Sequence, residues 1–454
     1  MADTFRSKVL TRRRFLVNSA FVAGGALGTG ALLEACSTST TSTSGSSSTT
    51  LTVMYGVGEF LPPYKIAFEK ANPGVKINQL EFDSTRLSAM FAAGQPPDYI
   101  RSQGAPVMPN VIARGLAADL TTYFEKSAVL KTDNLQPVND VYRWDGKVQG
   151  QGPRYGMAKD WSQDIMLWYD KRAFDDAHVP YPSETTPLSY DELLVLGKQL
   201  TVHKNGKIQS YGLDALWGWV PQGHIMQLVA QQGGSVYNAD YTKADLTTPE
   251  ARKAIKWYVD WAQSHVGPSP IDPETLGDDK LFGAKRLGLT MWGYWFGGAI
   301  NALPADVQPH LGFLPAPVMG PNRISVCLAG TGAWIPTVSK QKDLAWKFME
   351  YFMGGQPSVD RATSGWGIPS LKSLFSKMPQ TLSYQQEAFQ VQQQELPYLK
   401  VLEFSPYISD DAFTSAFTAA IEPVVHGQRA LDDGIKQLNT NVNTILVQGK
   451  QQVS

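Results

Sequence analysis

The sequence predicts an α/β protein built from two lobes. Its 454 residues exceed one ordinary domain and fit two lobes of typical size. From Leu51 to Ile100, strand-like and helix-like runs alternate in the order strand, helix, strand, helix, strand, which is the α/β pattern. A hydrophobic content of 43% and a charged content of 18% indicate a globular protein with a large core.

Charge and cysteine content exclude two classes of protein. The first 35 residues carry five basic and two acidic side chains, so the remainder has 35 basic and 39 acidic ones. Such a slightly acidic body offers no electrostatic footprint for nucleic acid, and we expect no nucleic-acid partner. Only Cys36 and Cys327 are present, which excludes a disulfide framework. We interpret Cys327 as a small buried hydrophobe.

The N-terminus is typical of an export signal. Three consecutive arginines, Arg12, Arg13 and Arg14, precede Phe15 and Leu16 and open an apolar run rich in glycine and alanine that ends at Leu33. This resembles a twin-arginine signal peptide covering residues 1–35. A short transmembrane anchor is the alternative, although Asn18, Ser19 and four glycines make the run weakly apolar.

The segment after this run resembles the site at which a bacterial lipoprotein is cleaved and acylated. Residues 33–36 read Leu-Glu-Ala-Cys, so Cys36 is the predicted lipidation site, and Glu34 departs from the small or apolar residue expected there. Residues 37–50 contain only Ser, Thr and Gly, which cannot bury apolar surface, and we predict that residues 36–50 form a flexible tether. Acyl chains on Cys36 would hold the body at the outer face of the cytoplasmic membrane.

Predicted elements follow in order along the body. A first strand at residues 51–55 is followed by a helix that Asn72-Pro73-Gly74 ends, a strand at 75–82, a helix that Gly94 ends, and a strand from Tyr99. A capping box of Ser189 and Glu192 begins a further helix. The closing helices are predicted at residues 411–425 and 431–447.

Two further helices carry aromatic side chains for the core. Thr248-Pro249-Glu250 begins a helix on which Trp257 and Trp261 lie four residues apart on one face, and we interpret this pair as packing. A helix after Ser339 carries further aromatic residues, Trp346, Phe348 and Phe352, which we also assign to the core.

The aromatic and glycine-rich run at residues 291–298 indicates a ligand platform. It follows a buried strand predicted at residues 287–291, and its glycines break any helix that could bury all of its rings. The carboxyl end of a strand is where open α/β sheets bind ligands. The alternative is that Trp292 and Trp295 fill a core.

Seven segments along the chain resemble one family. In order they read FEKANPGVKI (68–77), AGQPPD (93–98), YGM (155–157), LWYDKRAF (167–174), SYDEL (189–193), LAGTGAWIP (328–336) and AWKFM (345–349). Together they resemble the extracellular solute-binding proteins of ABC transporters, in the carbohydrate-type cluster that includes maltose-binding protein. The resemblance covers about residues 51–445, which is nearly the whole body of the protein.

The resemblance implies the two-lobed periplasmic-binding-protein fold, with a sugar held between the lobes. Lobe one would comprise residues 51–158 and 312–364, and lobe two residues 159–311 and 365–454. Hinge crossings would lie near residues 157–160, 311–315 and 364–369. The chain would act as a monomer, without a cofactor, anchored by lipid, and would dock on ABC permease subunits driven by their ATPases.

Candidate ligand-binding residues lie in predicted loops at the lobe edges. Indole rings suit the C–H faces of a sugar, while its hydroxyls need carboxylate, guanidinium and backbone partners. The candidates are Tyr55, Glu59, Arg86, Asp98, Asp160, Trp161, Trp217, Trp219, Trp292, Tyr294, Trp295, Gly330, Thr331 and Trp366. Glu59, Arg86 and Asp98 could instead cap helices or form solvated ion pairs.

Motifs for catalysis are weak, and we predict no enzyme activity. The chain has no G-x-S-x-G motif, and its six histidines show no zinc-ligand spacing. Asp160 and Asp164 could form the carboxylate pair of a glycosidase. Two alternatives therefore remain: the same fold binding a glycerol phosphate ester, polyamine or peptide, and an exported carbohydrate-active enzyme.

Overall fold

The computed structural model describes residues 48–147 and 149–453. The predicted signal peptide, the lipidation site Cys36 and most of the tether lie outside the described residues. Two five-stranded mixed sheets, each with helices packed against it, form two lobes, which confirms the predicted α/β class.

Strands and helices are numbered in chain order over the described residues. The strands are β1 (Thr49–Met54), β2 (Val75–Leu80), β3 (Tyr99–Gln103), β4 (Arg143–Trp144), β5 (Gln149–Arg154), β6 (Gly156–Ala158), β7 (Asp160–Trp161), β8 (Leu167–Asp170), β9 (Val202–Lys204), β10 (Lys207–Asp214), β11 (Leu287–Thr290), β12 (Leu311–Leu314), β13 (Ser325–Cys327), β14 (Thr331–Trp334), β15 (Ile368–Pro369) and β16 (Leu399–Val401). The helices are α1 (Pro62–Ala71), α2 (Ser84–Ala92), α3 (Gly104–Ala113), α4 (Thr121–Lys126), α5 (Lys171–Ala177), α6 (Tyr190–Leu200), α7 (Pro221–Gln231), α8 (Pro249–Gln263), α9 (Asp278–Gly283), α10 (Gly297–Ile300), α11 (Lys342–Gly354), α12 (Gln356–Ser364), α13 (Ser383–Glu395), α14 (Asp410–Val425) and α15 (Leu431–Val453).

The sheet of the first lobe has the order β2-β1-β3-β14-β6. Strands β1, β2 and β3 are parallel, whereas β14 runs antiparallel to both β3 and β6. Helices α1 and α11 cover one face, where Phe348 packs edge-to-face with Phe60, Phe68 and Tyr99, and Phe352 packs edge-to-face with Phe60. Since these side chains are fully buried or nearly so, this aromatic core stabilises the lobe through the hydrophobic effect.

The sheet of the second lobe has the order β12-β8-β11-β10-β9. Strands β10 and β11 are parallel, so their carboxyl ends meet at one edge of the sheet. Helix α8 buries Trp257 and Trp261, and their indole N–H groups donate to the carbonyls of Tyr190 and Leu213. This confirms that both tryptophans belong to the core, as their helical spacing predicts.

Local capping explains where two helices of the second lobe begin. The Ser189 backbone N–H donates to the Glu192 carboxylate at 2.7 Å, and the Glu192 N–H donates to the Ser189 hydroxyl at 3.1 Å. This reciprocal pair is the predicted capping box of α6. Thr248 caps α8 by accepting from the Ala251 N–H at 3.2 Å, with Pro249 in the first turn.

The two closing helices confirm the sequence prediction within a few residues. Helices α14 and α15 pack against each other and against α8 of the second lobe. Their apolar faces bury residues such as Phe417 and Leu438 in the core that α8 also lines. Within the residues that the structure describes, no helix has both the length and the apolar character needed to cross a membrane.

Two predicted boundaries need correction. Thr49 and Thr50 belong to β1 and pair with Val75 and Lys76, so the tether cannot extend to residue 50. Residues 311–314 are β12, which pairs with β8 in the second sheet, and the chain returns to the first sheet only at β14. The predicted crossing at residues 311–315 is therefore wrong. The remaining lobe boundaries stay predictions.

Candidate functional site

Aromatic side chains gather at the carboxyl edge of the second sheet. Trp219 follows β10 and Trp292 follows β11, and these strands are parallel neighbours. Trp295 lies in the single turn of 3₁₀ helix after β11, and Trp366 lies in the segment between α12 and β15. All four are half-buried. We call Trp219, Trp292, Trp295 and Trp366 the aromatic ladder.

Neighbouring rings of the aromatic ladder are in contact. The ring centroids of Trp219 and Trp292 are 5.4 Å apart, and those of Trp292 and Trp295 are 4.8 Å apart in an edge-to-face arrangement. Trp295 and Trp366 stack with an interplanar angle of 15° at 6.1 Å. These distances are typical of favourable aromatic pairs, so each ring restricts the orientation of the next.

Buried polar groups and small residues fix the ladder. The Trp292 indole N–H donates to Asp278 Oδ2 at 2.9 Å, and the Thr290 hydroxyl donates to the same oxygen at 2.5 Å. A Cβ on Gly298 would lie only 2.5 Å from the Trp366 indole, so glycine is needed for that ring to rest on α10. The ladder is therefore preorganised before any ligand binds.

Four charged side chains form a cluster on the first lobe and at its first crossing. Glu59 follows β1, Arg101 lies in β3, and Lys159 and Asp160 follow β6. Glu59 pairs with Arg101 at 2.5 Å and with Lys159 at 3.3 Å, and Lys159 Nζ also lies 2.5 Å from Asp160 Oδ2. We call these four residues the charged cluster. Its formal charges balance.

Burial and ion pairing oppose each other in this cluster. Burial would raise the pKa of Glu59, but Arg101 and Lys159 outweigh it and lower the pKa to about 2. For Asp160 burial prevails and raises its pKa, although Lys159 opposes the shift. The cluster thus offers fixed donors and acceptors in a largely desolvated place.

Trp366 connects the charged cluster with the aromatic ladder. It stacks on Trp295 and also lines a small cavity together with Lys159, Asp160 and Arg361 of α12. Strand β15, which follows Trp366, pairs with β7, so the segments that carry Trp366 and Asp160 are held side by side. A ligand lying on the ladder would therefore lie close to fixed polar groups.

The segments that connect the lobes meet at Asp164. Its Oδ2 accepts from the backbone N–H groups of Leu328 and Ala329 at 2.7 and 3.0 Å, and its Oδ1 accepts from the Ser162 hydroxyl at 2.8 Å. Burial raises the pKa of Asp164 to about 6, despite these hydrogen bonds. This carboxylate ties the connection before β8 to the one before β14.

Several predicted site residues lie in the core. Tyr55 and Trp217 are fully buried, and Trp161 and Tyr294 are nearly so. The Tyr55 hydroxyl donates to the carbonyl of Gly332, and Trp217 stacks on His224 and Tyr258. These four aromatic side chains therefore belong to the core, because a loop at a strand end can turn its rings inward as well as outward.

Two predicted residues lie away from the charged cluster. Asp98 precedes β3, at the amino end of that strand, where it accepts from the Thr52 N–H at 2.9 Å and the Ser339 hydroxyl at 2.7 Å. Arg86 is exposed in the first turn of α2. Asp98 thus ties the sheet to the segment before α11.

Gly330 and Thr331 lie at the connection into β14. Gly330 has a φ of +51° and its carbonyl accepts from the Tyr142 hydroxyl at 3.1 Å. The Thr331 carbonyl accepts from the Lys159 N–H at 2.8 Å. These two predicted residues therefore position Lys159 and the neighbouring connections.

Sequence analysis missed Arg101, Asp278 and Arg361. A signal existed for Arg101, since a charged residue inside a buried strand needs a partner. Asp278 lies in a helix 12 and 14 residues before its partners Thr290 and Trp292, and Arg361 lies in a helix far along the chain from Asp160, so neither spacing carries such a signal. Among residues 48–147 and 149–453, no group of three or more His, Cys, Asp or Glu side chains could hold a metal ion.

The protein has two lobes built on mixed sheets, and several crossings join them. A polar and aromatic site lies beside these crossings. This arrangement defines a two-lobed binding protein. The model of the bacterial extracellular solute-binding protein family matches residues 48–354, more than half of the chain. The chain belongs to this family. A comparison with curated protein sequences finds no match.

Solved structures share the fold at low sequence identity. An ABC substrate-binding protein of Listeria monocytogenes in complex with cycloalternan is 22% identical with a TM-score of 0.72, over 87% of this chain and 98% of that one. A Thermotoga lettingae solute-binding protein bound with α-D-tagatose is 22% identical with a TM-score of 0.73, over 88% and 100%. The maltose/maltodextrin-binding domain of Bdellovibrio bacteriovorus bound to maltotriose is 16% identical with a TM-score of 0.67, over 89% and 100%.

Proposed function

We propose that this protein captures a sugar or oligosaccharide between its lobes and delivers it to the permease of an ABC importer. The observation that carries the proposal is the aromatic ladder, four half-buried tryptophans joined through Trp366 to the charged cluster. Carbohydrates present C–H faces that pack on indole rings and hydroxyls that both donate and accept hydrogen bonds. Both kinds of partner are adjacent here.

The charge balance favours a neutral ligand. Glu59 and Asp160 offset Arg101 and Lys159 within the charged cluster, and the ion pairs among them are already made. A phosphate ester would need converging unpaired cations. Arg361 beside the cluster has donors without a partner among the described residues, but they face a cavity too small for a phosphate group. A polyamine would need unpaired carboxylates. The binding of such ligands, or of a peptide, is therefore the less favoured alternative.

The ligands of related folds support the same proposal. The three similar structures described above were solved with cycloalternan, α-D-tagatose and maltotriose. All three ligands are carbohydrates, which favours a carbohydrate ligand for this protein. They differ in size, so they do not indicate the length of that ligand.

We favour binding without catalysis. Asp160 is paired with Lys159, and the carboxylate of Asp164 accepts from Ser162, Leu328 and Ala329. Neither carboxylate is arranged to protonate a glycosidic oxygen or to activate water. An exported carbohydrate-active enzyme is the alternative, and product release from oligosaccharides would identify it.

The importer role includes an anchor and partners. We propose a monomer held through acylated Cys36 at the outer face of the cytoplasmic membrane, docking on two permease subunits that a pair of ATPases drives. The Ser/Thr-rich tether after Cys36 supports the anchor, and membership of the solute-binding family supports the permease. Metabolic labelling with a clickable fatty acid, with Cys36→Ser as the unlabelled control, tests the anchor.

Thermal melting in the presence of carbohydrates tests the ligand class. Protein expressed without residues 1–36 should melt at a higher temperature with the sugar that it binds, because a ligand that prefers the native state stabilises it. Glycerol 3-phosphate, spermidine and a tripeptide are the matched non-sugar ligands. A rise with one of these alone would assign the alternative.

A further inference from the structure

Behind Trp366 lies a small cavity at the point where α12 meets the first crossing. Its volume is about 10 Å³, roughly the space that one water-sized oxygen needs. Asp160, Arg361, Trp366 and Ser370 are among the residues that line it. The cavity is therefore too small for a carboxylate or phosphate group and suits a single hydroxyl or water.

Arg361 supplies donors at this cavity. Its side chain is buried, with the guanidinium 4.6 Å from the centre of the Phe352 ring and Nη2 donating to the Phe352 carbonyl at 2.9 Å. The remaining groups, Nε and Nη1, are buried without a hydrogen-bond partner among the described residues. A buried cation with unsatisfied donors costs free energy unless an acceptor reaches it.

Ser370 adds a second polar group without a partner. Its hydroxyl is buried and has no hydrogen-bond partner in the part of the chain that the structure describes, whereas its carbonyl accepts from Gln136 and Asn139. The backbone therefore fulfils the structural role of this residue, and the hydroxyl remains available to the cavity.

Asp160 provides an acceptor at the cavity. Its carboxylate lines the cavity together with the cations Lys159 and Arg361, so a hydroxyl there could donate to the carboxylate, while the small volume excludes a carboxylate or phosphate group. A hydroxyl or water oxygen can in addition accept from Arg361 and Ser370. Donors, acceptor and volume thus agree on one neutral oxygen.

We propose that the cavity formed by Arg361, Ser370 and Asp160 is a binding site for one neutral hydroxyl-type oxygen, supplied by the sugar or by a bound water. The sugar source rests on the proposed function, since Trp366 belongs to the aromatic ladder and also lines this cavity. The water source does not rest on it. If the sugar supplies the oxygen, the cavity selects for a sugar with a hydroxyl at this position.

Ser370→Ala tests this site, because it removes one cavity hydroxyl and leaves the backbone hydrogen bonds in place. Ser358→Ala is the matched control: Ser358 lines the same cavity, but its hydroxyl already donates to the Gly355 carbonyl at 2.7 Å. Melting temperatures are measured without ligand, and affinities for mannobiose and maltotriose are measured by calorimetry. Arg361→Met provides a second variant for the same measurements.

If a water occupies the site in the ligand-free protein, Ser370→Ala loses a hydrogen bond and melts below the wild type by about the same amount as Ser358→Ala. A loss of affinity of about three- to tenfold in Ser370→Ala and Arg361→Met assigns the oxygen of the liganded protein to the sugar, whether or not the melting temperature changes. Unchanged affinity with a lowered melting temperature assigns it to water.

An unchanged or raised melting temperature of Ser370→Ala, with unchanged affinity, would overturn the proposal, because deleting a truly unpaired buried hydroxyl costs nothing. If the wild type binds neither sugar, the melting temperatures still show whether a water occupies the cavity. Failure of the ligand proposal and failure of the cavity proposal are therefore distinguishable.

Discussion

Two sets of tryptophans, one in the core and one at the candidate site, differ in the indole surface that they leave exposed. Trp217, Trp257 and Trp261 are buried in the second lobe, where stacking and indole hydrogen bonds fix them. The four rings of the aromatic ladder are only half-buried and contact one another in series. Exposed indole surface beside a preorganised neighbour can receive a sugar face at little entropic cost.

Replacing Trp295 by Ala should weaken carbohydrate binding by about 1–3 kcal/mol, because Trp295 contacts both Trp292 and Trp366 and its loss interrupts the ladder. Calorimetric titration measures the change. Trp144→Ala removes a half-buried tryptophan on β4, outside the ladder, and serves as the control. Equal affinity of folded Trp295→Ala and wild-type protein would contradict this role.

Glu59 should give the protein an acid-sensitive contribution to stability. Its pKa is about 2 in the fold, below the usual 4.5, so the contribution is complete above pH 4.5 and is lost as the pH falls toward 2. The shift corresponds to roughly 3 kcal/mol. Urea unfolding of the wild type and Glu59→Gln between pH 3 and 7 should show a difference that shrinks in acid. A constant difference would argue against the ion pairs with Arg101 and Lys159.

Single residues were the hardest feature to predict from the sequence. The residues after β11 stood out because aromatic rings beside glycines are rare, and Trp292, Trp295 and Trp366 indeed contact one another. Trp217 and Trp219 are two residues apart and have similar sequence neighbours, yet Trp217 is buried in the core and Trp219 belongs to the ladder. Tertiary packing of α7 and α8 decides between them, and local sequence does not encode that choice.

At the scale of elements, the connections between the lobes determine where the site can form. Strand β7 pairs with β15, and Asp164 joins the connection before β8 to residues 326–329 before β14. The other two predicted crossings lie near these segments and stay predictions, whereas β12 was mistaken for a connection. A short apolar run such as residues 311–314 fits a buried strand and a hinge segment equally well until its partner β8 is known.

Asp164→Asn should change how stability depends on pH. Because burial raises the pKa of Asp164 to about 6, the native state binds the proton more tightly than the unfolded chain, whose pKa is near 3.8. The wild type should therefore gain stability as the pH falls from above 6 toward 4, and Asp164→Asn should lack this gain. Melting temperatures at pH 4.5, 5.5 and 6.5 test it. Parallel profiles for both proteins would refute it.

Two adjacent glycines of α10 offer a matched test of the ladder. A Cβ on Gly298 would lie 2.5 Å from the Trp366 indole, whereas one on Gly297 would make only ordinary contacts from 3.5 Å outward. Gly298→Ala should displace Trp366 from Trp295 and reduce carbohydrate affinity about tenfold, while Gly297→Ala should retain it. Calorimetry on both variants measures this, and equal affinities would show that the stacked position of Trp366 is not required.

For the whole molecule, two sheets of five strands place the aromatic ladder on one lobe and most of the charged cluster on the other. Only a ligand that touches both lobes can favour one arrangement of the lobes over another. The α/β alternation and the order of family motifs were sufficient to predict this architecture, because both are properties of long segments. Side-chain pairs that cross between lobes depend on the assembled fold and could not be predicted.

Intrinsic tryptophan fluorescence tests the central claim most directly, since the half-buried ladder should report a bound sugar. Protein without residues 1–36 would be titrated with monosaccharides and with oligosaccharides such as mannobiose and maltotriose, alongside Trp295→Ala. We expect a saturable change with at least one carbohydrate, which Trp295→Ala weakens. A folded wild-type protein that shows no saturable change with any carbohydrate would contradict the assignment of this site to sugar binding.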